Sequence, residues 1–83
     1  MAGRMLLKIT LFGVLREKFA RESRGKLSLE LAEGSLLQDA KQALGIQSNV
    51  LCVLNGANQP DFSTPLKDGD EISFFHPIGG GAL

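Results

Sequence analysis

The sequence predicts an α+β domain in which one main helix packs across a mixed β-sheet. The order of patterns along the chain is strand, strand, helix, strand, loop, strand. The length of 83 residues lies well below the size at which chains divide into several domains. With 43% hydrophobic and 22% charged residues, the composition is ordinary for a globular protein and argues against a disordered chain.

Alternation of apolar and polar residues predicts the first two strands. In residues 5–12 (MLLKITLF) an apolar side chain recurs at every second position, and Leu6 and Phe12 make the second face partly apolar. Residues 16–21 predict a short helical turn. Residues 27–31 (LSLEL) alternate cleanly, with three leucines pointing inward. We therefore expect these two strands to pair as a hairpin with a long connection.

The main helix is predicted to open at Ser35. Ser35 and Gln38 have the spacing of a capping box, in which the two side chains satisfy backbone donors at a helix start. Gly45 is placed where many helices end in a left-handed residue. Between them, apolar residues share one face at helical spacing: Leu36, Leu37, Ala40, Ala43 and Leu44.

Two more strands are expected in the second half. Residues 50–54 (VLCVL) are apolar on both faces, which predicts a strand that is covered on both sides or near the sheet centre. Asn55-Gly56 is typical of a tight turn, and residues 57–65 predict a loop that can hold a short edge strand.

The last strand is predicted over residues 71–76, after a turn at residues 66–70 (LKDGD). Phe75 alternates with the inward-facing Phe74, so we expect it on the outer face of the sheet, with Phe12 and Leu6 nearby. Such an aromatic residue is either partly covered or part of a partner-binding surface.

Composition excludes several classes of function. Nine Lys/Arg balance nine Asp/Glu, which disfavours a dedicated nucleic-acid binder. Five basic residues precede the second strand, but Glu17 and Glu22 are interleaved with them, which predicts a solvated surface rather than a phosphate site. These five are Arg16, Lys18, Arg21, Arg24 and Lys26. The apolar runs are too short to span a bilayer, and residues 1–7 lack a secretory pattern, so we expect a cytoplasmic protein.

Metal and thiol chemistry have little support in the sequence. The single cysteine, Cys52, excludes an intrachain disulfide or a four-cysteine site, and we expect it to be buried and inert. The one histidine, His76, has no second imidazole with which to share a metal, and we assign it no role. Asp68-Gly69-Asp70 lacks the other ligands of a calcium loop, so we interpret it as a turn.

Residues 77–83 (PIGGGAL) form an unusual tail. Three glycines in a row do not hold regular structure, because glycine loses the most backbone entropy on ordering. One interpretation is a frayed end. The other is a thin arm without side chains, which enters a narrow channel of a partner and approaches a reactive centre closely.

Three stretches carry a family resemblance: residues 9–18 (ITLFGVLREK), 66–75 (LKDGDEISFF) and 76–81 (HPIGGG). Together they resemble the MoaD/ThiS family of ubiquitin-like sulfur carriers, and within it the small subunits of molybdopterin synthase. The resemblance implies a β-grasp domain over residues 1–76 and a flexible glycine-rich tail over residues 77–83.

The resemblance also implies a mechanism. A ubiquitin-activating-type enzyme (MoeB-like or ThiF-like) uses ATP to adenylate the C-terminal glycine, and persulfide sulfur then displaces AMP. Gly81 is thereby expected to carry the thiocarboxylate, Gly80 completes the diglycine, and no cofactor is expected to stay bound. The sulfur would pass to a pterin on a MoaE-like large subunit. The resemblance further assigns partner binding to Phe75, Phe12, Pro77, Ile78 and Gly79.

The chain departs from the family pattern after Gly81, where Ala82 and Leu83 follow. Because an amide-linked glycine has no free carboxylate, we expect a JAMM-type peptidase to remove these two residues. Two alternatives remain open. One is a carrier for thiamine, cysteine, methionine or thiolated-tRNA synthesis, and the other is a ubiquitin-like modifier joined through Gly81 to protein lysines.

Overall fold

The computed structural model describes residues 3–77. Its elements follow the predicted order: β1 (Arg4–Leu11), α1 (Val14–Phe19), β2 (Lys26–Ala32), α2 (Leu37–Ala43), β3 (Leu51–Leu54), β4 (Ala57–Asn58) and β5 (Glu71–Phe75). The α+β class is confirmed. Neither of the helices formed by the described residues is long and apolar enough to cross a membrane.

The five strands form one mixed sheet in the order β2-β1-β5-β3-β4. β1 pairs with β2 as the predicted antiparallel hairpin, and with β5 in parallel. β3 is antiparallel to both β5 and the two-residue β4. Adjacent, parallel first and last strands with a helix across the sheet are the β-grasp arrangement, which confirms the expected fold.

The core lies between one face of the sheet and α2. The inward positions of β1 are at most 2% exposed, as their alternation predicts. Phe74 of β5 is fully buried, and its ring stacks on Phe62 with 6.3 Å between ring centres. α2 contributes Leu37 and Ala40, both with no exposed surface. The hydrophobic pattern therefore specifies which sheet face is covered.

The predicted capping box at Ser35 and Gln38 is wrong. The Ser35 hydroxyl donates instead to the carbonyl of Ala32 at 2.7 Å, and α2 begins two residues later. The carboxylate of Asp39 accepts the backbone N–H of Leu36 at 2.7 Å. Because α2 begins at Leu37, Leu36 rather than Ser35 precedes its first turn, and the capping carboxylate comes from Asp39 inside that turn.

Distant backbone completes the start of α2. The N–H groups of Leu37 and Gln38 donate to the carbonyls of Thr64 and Phe62, at 2.9 and 2.8 Å. These two donors would otherwise lack partners, since the first turn of a helix has no preceding carbonyls. The loop before β5 is thus held against the helix. At the other end, Gly45 has φ 81°, which confirms the predicted left-handed stop.

The turn before β5 is fixed by two aspartates. Asp68 accepts the N–H of Leu6 at 2.7 Å. Asp70 is only 8% exposed, and its carboxylate accepts the N–H of Lys67 at 2.8 Å and the side-chain amide of Asn55 at 2.9 Å. Both carboxylates therefore stabilise the turn, as expected. Within residues 3–77, no group of three or more His, Cys, Asp or Glu side chains is placed to hold a metal ion.

Candidate functional site

A shallow apolar groove lies at the end of the sheet where β1 and β5 finish. Its volume is about 560 Å³. Residues from two chain segments line it: Phe12, Gly13, Val14, Phe75, His76 and Pro77. One segment links β1 to α1, and the other leaves β5 toward the glycines.

Parallel pairing brings these two segments together. Leu11 lies opposite Phe74 in the ladder, and the N–H of Phe12 donates to the carbonyl of Phe74 at 3.2 Å. The next residues, Phe12 and Phe75, both point to the outer face, because successive side chains of a strand alternate. Their rings meet edge-to-face, with 6.1 Å between centres and 81° between planes. Gly13, at φ 59°, turns the chain into α1 without a Cβ penalty.

The apolar surface continues beyond the groove. Phe12, Val14 and Leu51 are 49%, 64% and 43% exposed. Leu51 of β3 lies directly opposite Phe75, so the outer face carries an apolar strip (Phe12, Phe75 and Leu51) across three neighbouring strands. A contiguous apolar patch of this kind is typical of an interaction site.

Sequence reasoning missed Leu51. We expected β3 to be apolar on both faces because other parts of the protein covered it or because it lay centrally. Its inward residue, Cys52, is indeed buried, whereas Leu51 is open to solvent. The apolar outward position of Leu51 in residues 50–54 was the sequence signal. Because β3 pairs with β5, an apolar residue at this position extends the apolar surface around Phe75.

The expected place of Leu6 near Phe75 is wrong. Leu6 is 53% exposed and shares the outer face, but it precedes Phe12 by six residues along β1. At about 3.3 Å per residue, the two side chains are about 20 Å apart. Leu6 therefore lies at the other end of the sheet and takes no part in the groove.

The groove adjoins the root of the predicted tail. His76 and Pro77 line it and are the last residues that the structure describes. Ile78, Gly79, Gly80 and Gly81 lie outside the described residues. The structure thus brings together the expected binding residues Phe12, Phe75 and Pro77, and those beyond Pro77 stay predictions.

The Cys52 thiol is not poised for nucleophilic chemistry. Cys52 is 1% exposed, and desolvation by burial raises the pKa of its thiol from 9.0 to about 11, so the thiol stays protonated near neutral pH. This agrees with the expected inert thiol. The His76 ring nitrogen Nε2 lies 3.5 Å from the Ser48 hydroxyl, at the edge of hydrogen-bonding distance.

Known structures share this fold. A putative molybdopterin converting factor subunit 1 from Pyrococcus furiosus is 20% identical with a TM-score of 0.74, covering 89% of this chain and 99% of that chain. Small archaeal modifier protein 1 from Methanosarcina acetivorans is 23% identical with a TM-score of 0.73, covering 95% of this chain and 99% of that chain. A chain of the complex of subunits 1 and 2 of molybdopterin-converting factor from Helicobacter pylori is 24% identical with a TM-score of 0.62, covering 93% of this chain and 100% of that chain. At these identities the likeness shows the fold.

Sequence comparison shows the family. No functionally curated protein matches the chain. A sequence profile of the ThiS family matches residues 9–81, which is most of the chain and includes its three consecutive glycines. The match joins the β-grasp sheet, the turn before β5 and the glycine segment in one alignment, so the chain belongs to the ThiS family of ubiquitin-like sulfur carriers.

Proposed function

We propose that this chain carries sulfur as a thiocarboxylate on Gly81 and delivers it to molybdopterin synthesis. The observation that carries the proposal is the apolar groove at the root of the glycine segment, in a chain of a sulfur-carrier family. The groove would dock the body of the protein on a partner. Residues 79–81 are glycines without Cβ atoms, so the backbone of this segment can pass through a channel too narrow for side chains.

The chemistry uses the terminal carboxylate as the reacting group. A carboxylate oxygen of Gly81 attacks the α-phosphorus of ATP, and pyrophosphate leaves. A donor persulfide then attacks the acyl carbon and AMP leaves, after which a second thiol cleaves the acyl disulfide and releases the thiocarboxylate. ATP is bound by a MoeB-like or ThiF-like activating enzyme. The buried, protonated thiol of Cys52 supports an external sulfur donor.

Charging requires that the bond between Gly81 and Ala82 be hydrolysed first. The carbonyl of Gly81 is part of an amide in the sequence, and an amide oxygen does not form an acyl adenylate. A JAMM-type metallopeptidase is the class of enzyme that we propose for this step. Gly81 then becomes the terminus and Gly80-Gly81 the diglycine.

Two partners would use the outer face in turn. The activating enzyme would contact Phe12 and Phe75 during adenylation, and a MoaE-like large subunit would contact them during sulfur delivery. The Helicobacter pylori relative in fold was solved as a complex of two subunits of molybdopterin-converting factor, which supports an assembly of this kind. Both partners would leave the core face and α2 untouched.

The first experiment is the intact mass of the protein purified from its native cells. We expect loss of the mass of Ala82 and Leu83, followed in a fraction of molecules by replacement of one oxygen by sulfur. A native protein that keeps Leu83 and is fully active in sulfur transfer would contradict the proposal.

A reconstituted reaction tests the terminus directly. Three chains, ending at Gly80, Gly81 and Leu83, are incubated with the activating enzyme and Mg-ATP, and pyrophosphate release is measured. We expect release with the chain that ends at Gly81 and none with the chain that ends at Leu83. The chain ending at Gly80 is the control, because Gly79-Gly80 also forms a diglycine end but is one residue shorter.

The acceptor is identified by products. Formation of molybdopterin from its pterin precursor, with the charged chain and the large subunit, is the expected result. Sulfur appearing in thiamine precursors, amino acids or tRNA instead would favour the other carriers. Isopeptide adducts between Gly81 and protein lysines in native extracts would favour a modifier, the role named for the Methanosarcina acetivorans relative in fold.

A further inference from the structure

The formal net charge of zero conceals a separation of charge along the chain. Residues 13–26 hold five cations and two carboxylates, which gives this basic segment a charge of +3. The rest of the chain holds four cations and seven carboxylates, a charge of −3. All charged residues lie within the described part of the structure, and every cation of the basic segment is exposed.

The basic segment lies at the groove end of the molecule. Val14 lines the groove, and Lys18 shares a neighbouring depression with Val14 and His76. Arg16 lines a further depression with Val14. Lys26 pairs with Thr10 of β1, and Phe12 follows Thr10 by two residues, just after the end of that strand. Arg16, Lys18 and Lys26 therefore lie at the end of the molecule that carries the groove, and Lys18 lies beside His76 at the root of the tail.

These charges are not neutralised within the described structure. Between residues 3 and 77, the ion pair with atoms within 4.0 Å joins Arg4 to Glu30, at 3.1 Å, and it includes no member of the basic segment. The ammonium group of Lys18 lies 5.7 Å from the ring centre of Phe19. A partner can consequently pair with these cations without first breaking an internal ion pair.

We infer that the protein surface that receives this end of the molecule is acidic. It presents an apolar socket for Phe12, Val14 and Phe75, and around the socket a rim of carboxylates that faces Arg16 and Lys18. Complementary charge speeds the encounter and fixes its orientation, while the apolar centre sets how long the complex lasts. The identity of the partner, the activating enzyme, rests on the proposed function.

A protein partner fits this surface better than a nucleic acid does. A phosphate backbone would satisfy the cations but leave the apolar strip and Val14 facing a polar surface. The basic segment also offers a charge of only +3, less than the 6–10 phosphate contacts that a dedicated binder makes. An acidic protein surface with an apolar centre uses both features.

Association kinetics with the activating enzyme test the inference. The chain ending at Gly81 is compared with its Arg16→Glu/Lys18→Glu variant, and the control variant is Lys41→Glu/Lys67→Glu. Both variants change the net charge equally, but the control charges lie on α2 and in the turn before β5. We expect the first variant to lower the association rate constant by about 10-fold or more at low ionic strength, and the control to change it by less than about 3-fold.

Two further readouts separate charge from folding. The rate of the unmodified chain should fall as salt rises and meet that of the Arg16→Glu/Lys18→Glu variant at high salt, because screening removes steering. An Arg16→Lys/Lys18→Arg variant should keep the original rate, and the melting curve of each variant should show that it is folded at the assay temperature. Carbodiimide, which joins an amine directly to a carboxylate, should cross-link Lys18 to an Asp or Glu of the enzyme.

The outcomes distinguish this inference from the proposed function. Adenylation at saturating protein, with association that is independent of salt and of Arg16 and Lys18, would overturn the acidic rim and leave sulfur transfer standing. Salt-dependent docking without pyrophosphate release would support the acidic rim and contradict the proposed sulfur transfer. No binding at either ionic strength would overturn both, and preferential binding of mixed tRNA would replace the protein partner by a nucleic acid.

Discussion

Replacing Phe75 by Ala should weaken partner binding in a protein that stays folded, whereas the same change at Phe74 should mainly weaken the fold. The Phe74 ring is fully buried and stacked on Phe62, so its removal should cost about 3–5 kcal/mol. A domain of this length has a free energy of unfolding of about 4–12 kcal/mol. Phe74→Ala should therefore remove at least about a quarter of the free energy of unfolding.

Phe75 is partly buried, and its ring meets the Phe12 ring edge-to-face with 6.1 Å between ring centres. Such an aromatic pair contributes about 0.5–1.5 kcal/mol, and the partial burial of the ring adds about 1–2 kcal/mol, so Phe75→Ala should cost about 2–3 kcal/mol of stability, less than Phe74→Ala. A central aromatic residue in an interface contributes about 2 kcal/mol or more on truncation, which raises Kd about 30-fold. Phe75→Ala should thus weaken binding measurably while the protein remains folded.

Urea denaturation and a binding titration measure the two effects separately. The midpoint and slope of the urea transition give the free energy of unfolding of each variant. Calorimetric titration of the chain ending at Gly81 into the activating enzyme gives Kd. If Phe75→Ala loses more than about 3 kcal/mol of stability, Phe75 is a core residue; if its Kd is unchanged, the groove is not the docking surface.

The remaining predictions concern buried polar groups. Asp70→Ala leaves the amide of Asn55 and the N–H of Lys67 without their acceptor and should cost about 2–4 kcal/mol by urea denaturation, whereas Asp68→Ala removes one exposed bond and should cost about 1 kcal/mol. The folded protein should resist iodoacetamide at Cys52 near pH 8, and alkylation before urea unfolding would contradict its burial. Since the pKa of this thiol rises from 9.0 to about 11 on folding, the stability that it contributes is present below pH 9 and is lost as pH rises toward 11; a flat profile there would contradict the shift.

Local pattern was enough to predict most of the fold. The alternation in β1 and β5 specifies inward and outward residues, and the short turns limit which strands can be neighbours. The start of α2 could not be predicted in this way. Its first donors bind the carbonyls of Phe62 and Thr64, which lie more than twenty residues later in the chain, and no local spacing encodes such a contact.

The candidate site was only partly predictable for a similar reason. Phe12 and Phe75 were expected on the outer face because each occupies an outward position of its own strand. Their contact depends on parallel pairing, and the part played by Leu51 depends on the register of β3 against β5. The apolar run at residues 50–54 indicates that both faces of β3 are apolar, but it does not indicate which face is covered by the rest of the protein.

The position of charges on the folded surface was also only partly predictable from the sequence. A sum over the chain gives zero, and interleaved Glu17 and Glu22 suggest a solvated segment, yet the fold places Lys18 of the basic segment beside His76 at the root of the tail.

Chain length then connects this surface to the chemistry. Gly81 follows Phe75 by six residues, so its carbonyl can lie at most about 22 Å from the docked strip. A partner that adenylates Gly81 must place its ATP site within that distance of the socket for Phe75. The chain ending at Gly80 reaches about 3.5 Å less far. It should therefore still dock on the activating enzyme, but its terminal carboxylate should not be adenylated.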